Sequence, residues 1–188
     1  MSSSSINYTT QNDLLLHNLM EFYKDEIILN RMLKIITGDS KISLRIVDWF
    51  ATNYAKKYYT NYVIEEEQER RFKVYVDYKL KLKAYSKKRF DPFCRWTRIS
   101  IPYKEDTCIE TTIGQLNFFK WALENKVIDY IEENYDTIDK DMNNRNSTSK
   151  RKGINIDNSK TRKKREELSV SATKSIKKEK VEIVVQFH

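Results

Sequence analysis

Cys94, Cys108, His17 and His188 are the only cysteines and histidines in the 188 residues, and their spacing limits the chemistry they can do. A tetrahedral zinc site needs four ligands, usually with cysteines in closely spaced pairs. Here the two cysteines lie 14 positions apart and the histidines sit near opposite ends. A cysteine nucleophile with a histidine base fails on the same shortage. Loops that cradle phosphate need closely spaced glycines, whereas Gly38, Gly114 and Gly153 are dispersed. Runs such as Glu65-Glu66-Glu67 and Glu132-Glu133 read as solvated turns rather than acid–base pairs. No catalytic constellation stands out. The expectation is a protein that is not an enzyme, with no metal and no cofactor.

The remaining candidates are cations. Lys150-Arg151-Lys152 is followed by Arg162-Lys163-Lys164-Arg165, with ten residues between Arg151 and Arg162. That spacing fits a bipartite nuclear-import signal, and the same charges suit sequence-independent contact with nucleic-acid phosphates. A merely solubilising tail is the third reading, and these roles overlap. A second group, Lys73, Tyr75, Lys79, Lys81, Lys83 and Tyr85, shares one parity of an alternating stretch. With Arg98 and Trp96 it would make a platform for phosphates and stacked bases. The competing and favoured reading is an ordinary wet sheet face, on which lysines also discourage edge-to-edge pairing. Phe90-Asp91-Pro92-Phe93-Cys94-Arg95-Trp96 is rich in aromatics and reads as a loop folded over the core, with Asp91 supporting the turn.

The distribution of charge separates two parts of the chain. The formal net charge is +8, and residues 141–180 hold 13 basic and 5 acidic residues, so the rest is neutral with 22 of each. Aromatic residues are frequent (12%), hydrophobic residues are not (39%), and mean hydropathy is −0.73. This combination implies that the apolar residues are concentrated in one region that can bury a core. The opening Met1-Ser-Ser-Ser-Ser-Ile6 lacks the charged and apolar regions of a secretory signal. No apolar run approaches the ~20 residues that span a bilayer. An intracellular, non-secreted protein without a membrane partner is expected, and a structural disulfide is not.

The elements that would position these residues follow from periodicity. Residues 12–37 read as helix broken near Lys24-Asp25-Glu26, with Gly38 ending it in a left-handed conformation. Asp39 or Ser40 is expected to cap a further helix with Ile46, Phe50, Tyr54 and Tyr58 on its apolar face. Phe72, Val74, Val76, Tyr78, Leu80, Leu82 and Ala84 alternate with polar residues. This period of two predicts a strand and excludes a helix. Thr97, Ile99 and Ile101 suggest the returning strand of a hairpin over 72–103. Thr112-x-x-Gln115 has the capping-box pattern and opens a helical region to about Tyr135, broken within Leu123–Val127. From residue 139 the aromatics stop, and composition predicts disorder to residue 180. Val181–Phe187 is apolar and β-branched, suited to strand addition.

Two stretches, Lys81–Arg95 and Glu110–Ala122, resemble segments of an uncharacterised protein family of large nucleocytoplasmic DNA viruses, the group that includes mimiviruses and chlorella viruses. The resemblance covers roughly residues 40–135. It implies a viral structural or accessory protein in the nucleus or cytoplasm of an infected cell, or in the virion, and carries over no catalytic residues.

The fold expected is α+β, with helices flanking a small antiparallel sheet. It divides into a flexible start (1–11), a folded domain (12–138), a disordered basic tail (139–180) and an apolar end (181–188). The leading function is non-catalytic association with nucleic acid. Lys150, Arg151, Lys152, Arg162, Lys163, Lys164 and Arg165 would carry it, with Lys79, Lys81 and Lys83 as domain contacts. The alternative is a viral scaffolding protein that binds other viral proteins.

Overall fold

Side-chain caps set the first helices. A computed structural model describes residues 10–65, 70–96, 98–103, 107–152 and 177–180. Helix α1 (Gln11–Phe22) starts at a capping box in which Thr10 accepts from the Asp13 amide and Asp13 accepts from the Thr10 amide. The break expected near Asp25 is real: its carboxylate accepts from the Ile27 amide at 2.8 Å and begins α2 (Glu26–Thr37). Leu29, Met32, Leu33, Ile35 and Ile36 are the buried stripe of α2, which ends at Gly38 with φ 86°. The next cap differs from expectation. Ser43, rather than Asp39 or Ser40, accepts from the Ile46 amide and opens α3 (Leu44–Trp49). A π-helical turn over Phe50–Tyr54 leads into α4 (Ala55–Lys57).

The α+β class holds, but the sheet is not where period-two alternation placed it. The chain forms a hairpin of β1 (Asn61–Glu65) and β2 (Arg70–Lys73), and then a helix, α5 (Val74–Arg89), kinked at Ser86 (φ 61°, ψ 166°). The strand predicted over 72–85 is therefore overturned beyond Lys73. The reason is geometric. Residues i and i+4 share both a strand parity and a helix face, so Val74, Tyr78 and Leu82 serve either element. In the helix they turn inward, with Val74 and Tyr78 buried and Leu82 and Tyr85 packed against the core. Val76 and Leu80, at i+2, point out and are 52% and 60% exposed. The local sequence favours this outcome, since Lys, Leu and Ala are good helix formers and the two valines stay in the first turn.

The expected return strand exists as β3 (Arg98–Tyr103), but its partner is β4 (Thr107–Thr112), in an antiparallel register that puts Ile101 opposite Ile109. A short β5 (Lys177–Lys180) lies antiparallel on the other edge of β4. Thr112 caps α6 (Ile113–Glu124) by accepting from the Gln115 amide, as its motif predicts. Gln115, fully buried, also donates from Nε2 to the Pro92 carbonyl and accepts from Thr111. It thereby holds the 90–96 loop on the core, where Phe90 and Cys94 are buried and Asp91 accepts from the Phe93 amide. Gly114 permits this approach, because a Cβ there would lie 2.9 Å from the Cβ of Cys94.

Helices α7 (Val127–Glu133) and α8 (Tyr135–Lys152) follow the break expected within Leu123–Val127. Tyr78, Phe90, Phe118 and Trp121 form the aromatic centre, with ring centroids 5.5–6.4 Å apart. Helix α8 runs through the boundary expected at 138/139. Ile138 and Met142 are buried and the helix runs on to Lys152. The missing aromatics alone suggest disorder, but buried Ile138 and Met142 and the buried carboxylate of Asp141 suffice to seat this helix against existing core. Residues 153–176 and 181–188, with most of the predicted tail and the whole Val181–Phe187 segment, lie outside the described residues.

A basic helix as candidate nucleic-acid interface

Between Arg70 and Arg89 the chain carries nine lysines and arginines against one acid, Asp77. The neutrality of the chain outside residues 141–180 conceals this. Outside Arg70–Arg89 and residues 141–180, the chain holds 13 basic and 21 acidic residues, so a basic strand–helix unit is set into an acidic remainder. Asp77 is itself engaged, accepting from the Trp121 indole N–H at 2.7 Å. That bond also fixes the rotation of α5 against α6, and with it the direction each lysine takes.

The structure divides the lysines that the alternating stretch grouped together. Lys79 and Lys83, one turn apart, are exposed on the outer face of α5 with Val76 and Leu80. Neither makes an ion pair among the described residues. Lys81 is on another side and lines a cleft of about 260 Å³ between α1, α5 and α6 with Asn18, Tyr85, Asn117, Lys120 and Trp121. Lys120 in that cleft faces Glu124 at 3.6 Å. The flat platform of Lys73, Tyr75, Lys79, Lys81, Lys83 and Tyr85 therefore does not form, because a helix spreads alternate residues around its axis. Tyr75 instead receives Lys56 over its ring, 5.6 Å from the centroid. Arg98 belongs to β3 and pairs with Glu110 at 3.0 Å. Trp96 is 66% exposed and Arg95 before it is exposed too, whereas Phe90, Pro92 and Cys94 of the same loop are buried.

Lys150, Arg151 and Lys152 form the last residues of α8; Arg162, Lys163, Lys164 and Arg165 lie outside the described residues. What anchors α8 is Asp141, which accepts from Trp49 Nε1 (3.2 Å), Lys57 Nζ (2.6 Å) and the Tyr58 hydroxyl (3.1 Å). Burial pushes the Asp141 carboxyl up, but the bonds from Lys57, Tyr58 and Trp49 outweigh it and hold it below its ordinary value. The same contact raises Lys57 through its bonds to Asp141 and Tyr58. Arg145, one turn further, lies over the Trp49 ring at 5.3 Å. Sequence reasoning missed this node because Asp141 lies more than 80 residues from its three donors. It also passed over Arg70, Arg71, Lys87 and Lys88, which a charge count in windows rather than over the whole domain would have found.

Cys94 and Cys108 are free thiols, and Cys94 is buried with Sγ 3.3 Å from the Lys88 carbonyl. Among the described residues, no group of three or more His, Cys, Asp or Glu could hold a metal ion. Among them too, no helix is long and apolar enough to cross a membrane.

Comparison with known proteins extends the resemblance seen in the sequence. A family model described as "Family of unknown function (DUF7197)" matches residues 2–185, well beyond the stretch of 40–135. "Uncharacterized protein L507" of Acanthamoeba polyphaga mimivirus is 38% identical over 161 residues. That alignment covers 82% of this chain and 62% of the relative, so the chain spans less than two thirds of the relative's length. No solved structure matches.

Proposed function

The chain belongs to the DUF7197 family of unknown function, and from that premise we propose that it is a non-catalytic nucleic-acid-associated protein that contacts phosphates without sequence preference. The observation that carries this reading is the basic strand–helix unit Arg70–Arg89, on which Arg71, Lys73, Lys79, Lys83, Lys87 and Lys88 are all exposed. Exposed lysines on one element raise the local potential and gain free energy from counterion release when phosphates replace their salt atmosphere. The basic clusters at 150–152 and 162–165 add further phosphate contacts, so α5 and the tail act together.

Fluorescence anisotropy of the full chain with labelled duplex DNA and single-stranded RNA tests this. With about six phosphate contacts, affinity falls roughly a thousandfold between about 50 and 200 mM salt. Alanine at Lys79 and Lys83 should weaken binding and flatten the salt slope by about 1–2 units. Alanine at Arg162, Lys163, Lys164 and Arg165 should flatten it further. Absence of binding at low salt refutes the proposal.

One observation favours a second reading, a scaffolding protein that binds other viral proteins. Val76 and Leu80 are exposed apolar residues one helical turn apart on α5, where an amphipathic partner could seat. Co-sedimentation with assembled particles that is lost in Leu80→Asp would support it, since a charge there should not disturb the fold.

A further inference from the structure

The end of α4 places an aromatic where backbone geometry calls for glycine. The Thr60 amide donates to the Ala55 carbonyl at 3.1 Å, the closing bond of a Schellman motif, whose C′ residue takes a left-handed conformation. That residue is Tyr59, with φ 50°. A Cβ is strained there, and burial does not compensate the strain, because Tyr59 is 83% exposed. An exposed ring held at an unfavourable backbone position directs attention to what the ring contacts outside the chain.

Its surroundings are cationic. The Thr60 carbonyl accepts from the amide of Val74, the first residue of α5, at 3.3 Å. The next residue, Asn61, is the register partner of Lys73. Lys56, three residues before Tyr59, bridges to α5 over the Tyr75 ring, and Lys79 follows Tyr75 one turn later. Lys57 points elsewhere, to Asp141. Tyr59 thus stands at the junction of α4 with the basic unit, beside Lys56 and Lys73.

We propose that Tyr59 is a stacking residue of a single-stranded nucleic-acid site, with Lys56, Lys73 and Lys79 taking the phosphates; this rests on the nucleic-acid reading above. An exposed ring can stack an unpaired base, whereas the bases of a duplex are already stacked and closed to it. Stacking is sequence-tolerant, because every base presents a π-face, which agrees with binding that reads no sequence.

The test compares the full chain with Tyr59→Gly and Tyr59→Phe on a labelled oligodeoxythymidylate of about 16 nucleotides and on a duplex of equal length. Tyr59→Gly should lose about five- to hundredfold in affinity for the single strand, keep its duplex affinity, and melt at the same temperature or up to about 4 °C higher, since it relieves the left-handed strain. Tyr59→Phe should bind as the unaltered protein does. Unchanged single-strand affinity in Tyr59→Gly overturns the stacking role while leaving salt-sensitive phosphate binding in place. Equal losses on single strand and duplex, or a lower melting temperature, also overturn it by showing a structural role. Absence of binding by the unaltered chain overturns the stacking role and the nucleic-acid reading together.

Discussion

The assignment of residues 74–89 to a helix makes a sharp prediction about neighbouring apolar positions. Tyr78 is 9% exposed and its ring lies 5.9 Å from those of Phe90 and Trp121, whereas Leu80 is 60% exposed. Truncating a buried aromatic removes roughly 150–250 Å² of apolar contact and leaves a cavity. Tyr78→Ala should therefore cost about 3–4 kcal/mol. Leu80 has about two fifths of its side chain covered, so of the roughly 1.5–3 kcal/mol that full burial of a leucine contributes, about 1 kcal/mol is at stake. Alanine's helix propensity offsets a few tenths of that. Urea denaturation followed by tryptophan fluorescence measures both. With a slope of about 2 kcal/mol/M, Tyr78→Ala lowers the midpoint by about 1.5–2 M and Leu80→Ala by about 0.5 M or less. In a strand the two side chains would share the buried face. Comparable midpoint losses for Tyr78→Ala and Leu80→Ala would refute the helix and return Lys79, Lys81 and Lys83 to a single wet sheet face.

Two further outcomes are expected. Gly114→Ala should destabilise the domain by about 1–3 kcal/mol by the same urea measurement, because the added methyl meets Cys94 and the Lys88 carbonyl and the loop must move; the loss should be detectable as faster amide exchange around residues 90–94. Asp141→Ala should cost about 1–2 kcal/mol at neutral pH, chiefly from the Trp49 indole left without its acceptor, while the water-screened ammonium of Lys57 counts for little. Because the folded-state pKa of Asp141 is lowered, its contribution is present above the ordinary carboxylate pKa of about 3.9 and lost as pH falls through the depressed value. The gap in urea midpoint between Asp141→Ala and the unaltered protein should therefore narrow in acid without closing, since a protonated carboxyl still accepts from the Trp49 indole; a gap unchanged down to low pH would contradict the pairing.

What the sequence by itself determined is local chemistry. The helix break at Asp25, the left-handed Gly38, the Thr112 cap and the Asx turn at Asp91 are each settled by residue type and backbone groups within three residues. The dominance of 113–135 in the core was legible from the density of its apolar residues. The viral family was legible too, from stretches that the wider match contains. The alternating stretch beyond Lys73 was not, since periods of 2 and 3.6 coincide at every fourth residue. Only the aromatic centre around Trp121, to which Asp77 bonds, decides that Tyr78 goes in and Leu80 out. The extension of α8 past residue 138 was hidden for a similar reason: Asp141 reads as one more polar residue until Trp49, Lys57 and Tyr58 converge on it. The surface of the candidate site depends on both. Composition supplies the cations, and their sorting into an outer face with Lys79 and Lys83 and a cleft with Lys81 is a product of helix rotation, which contacts distant in sequence impose.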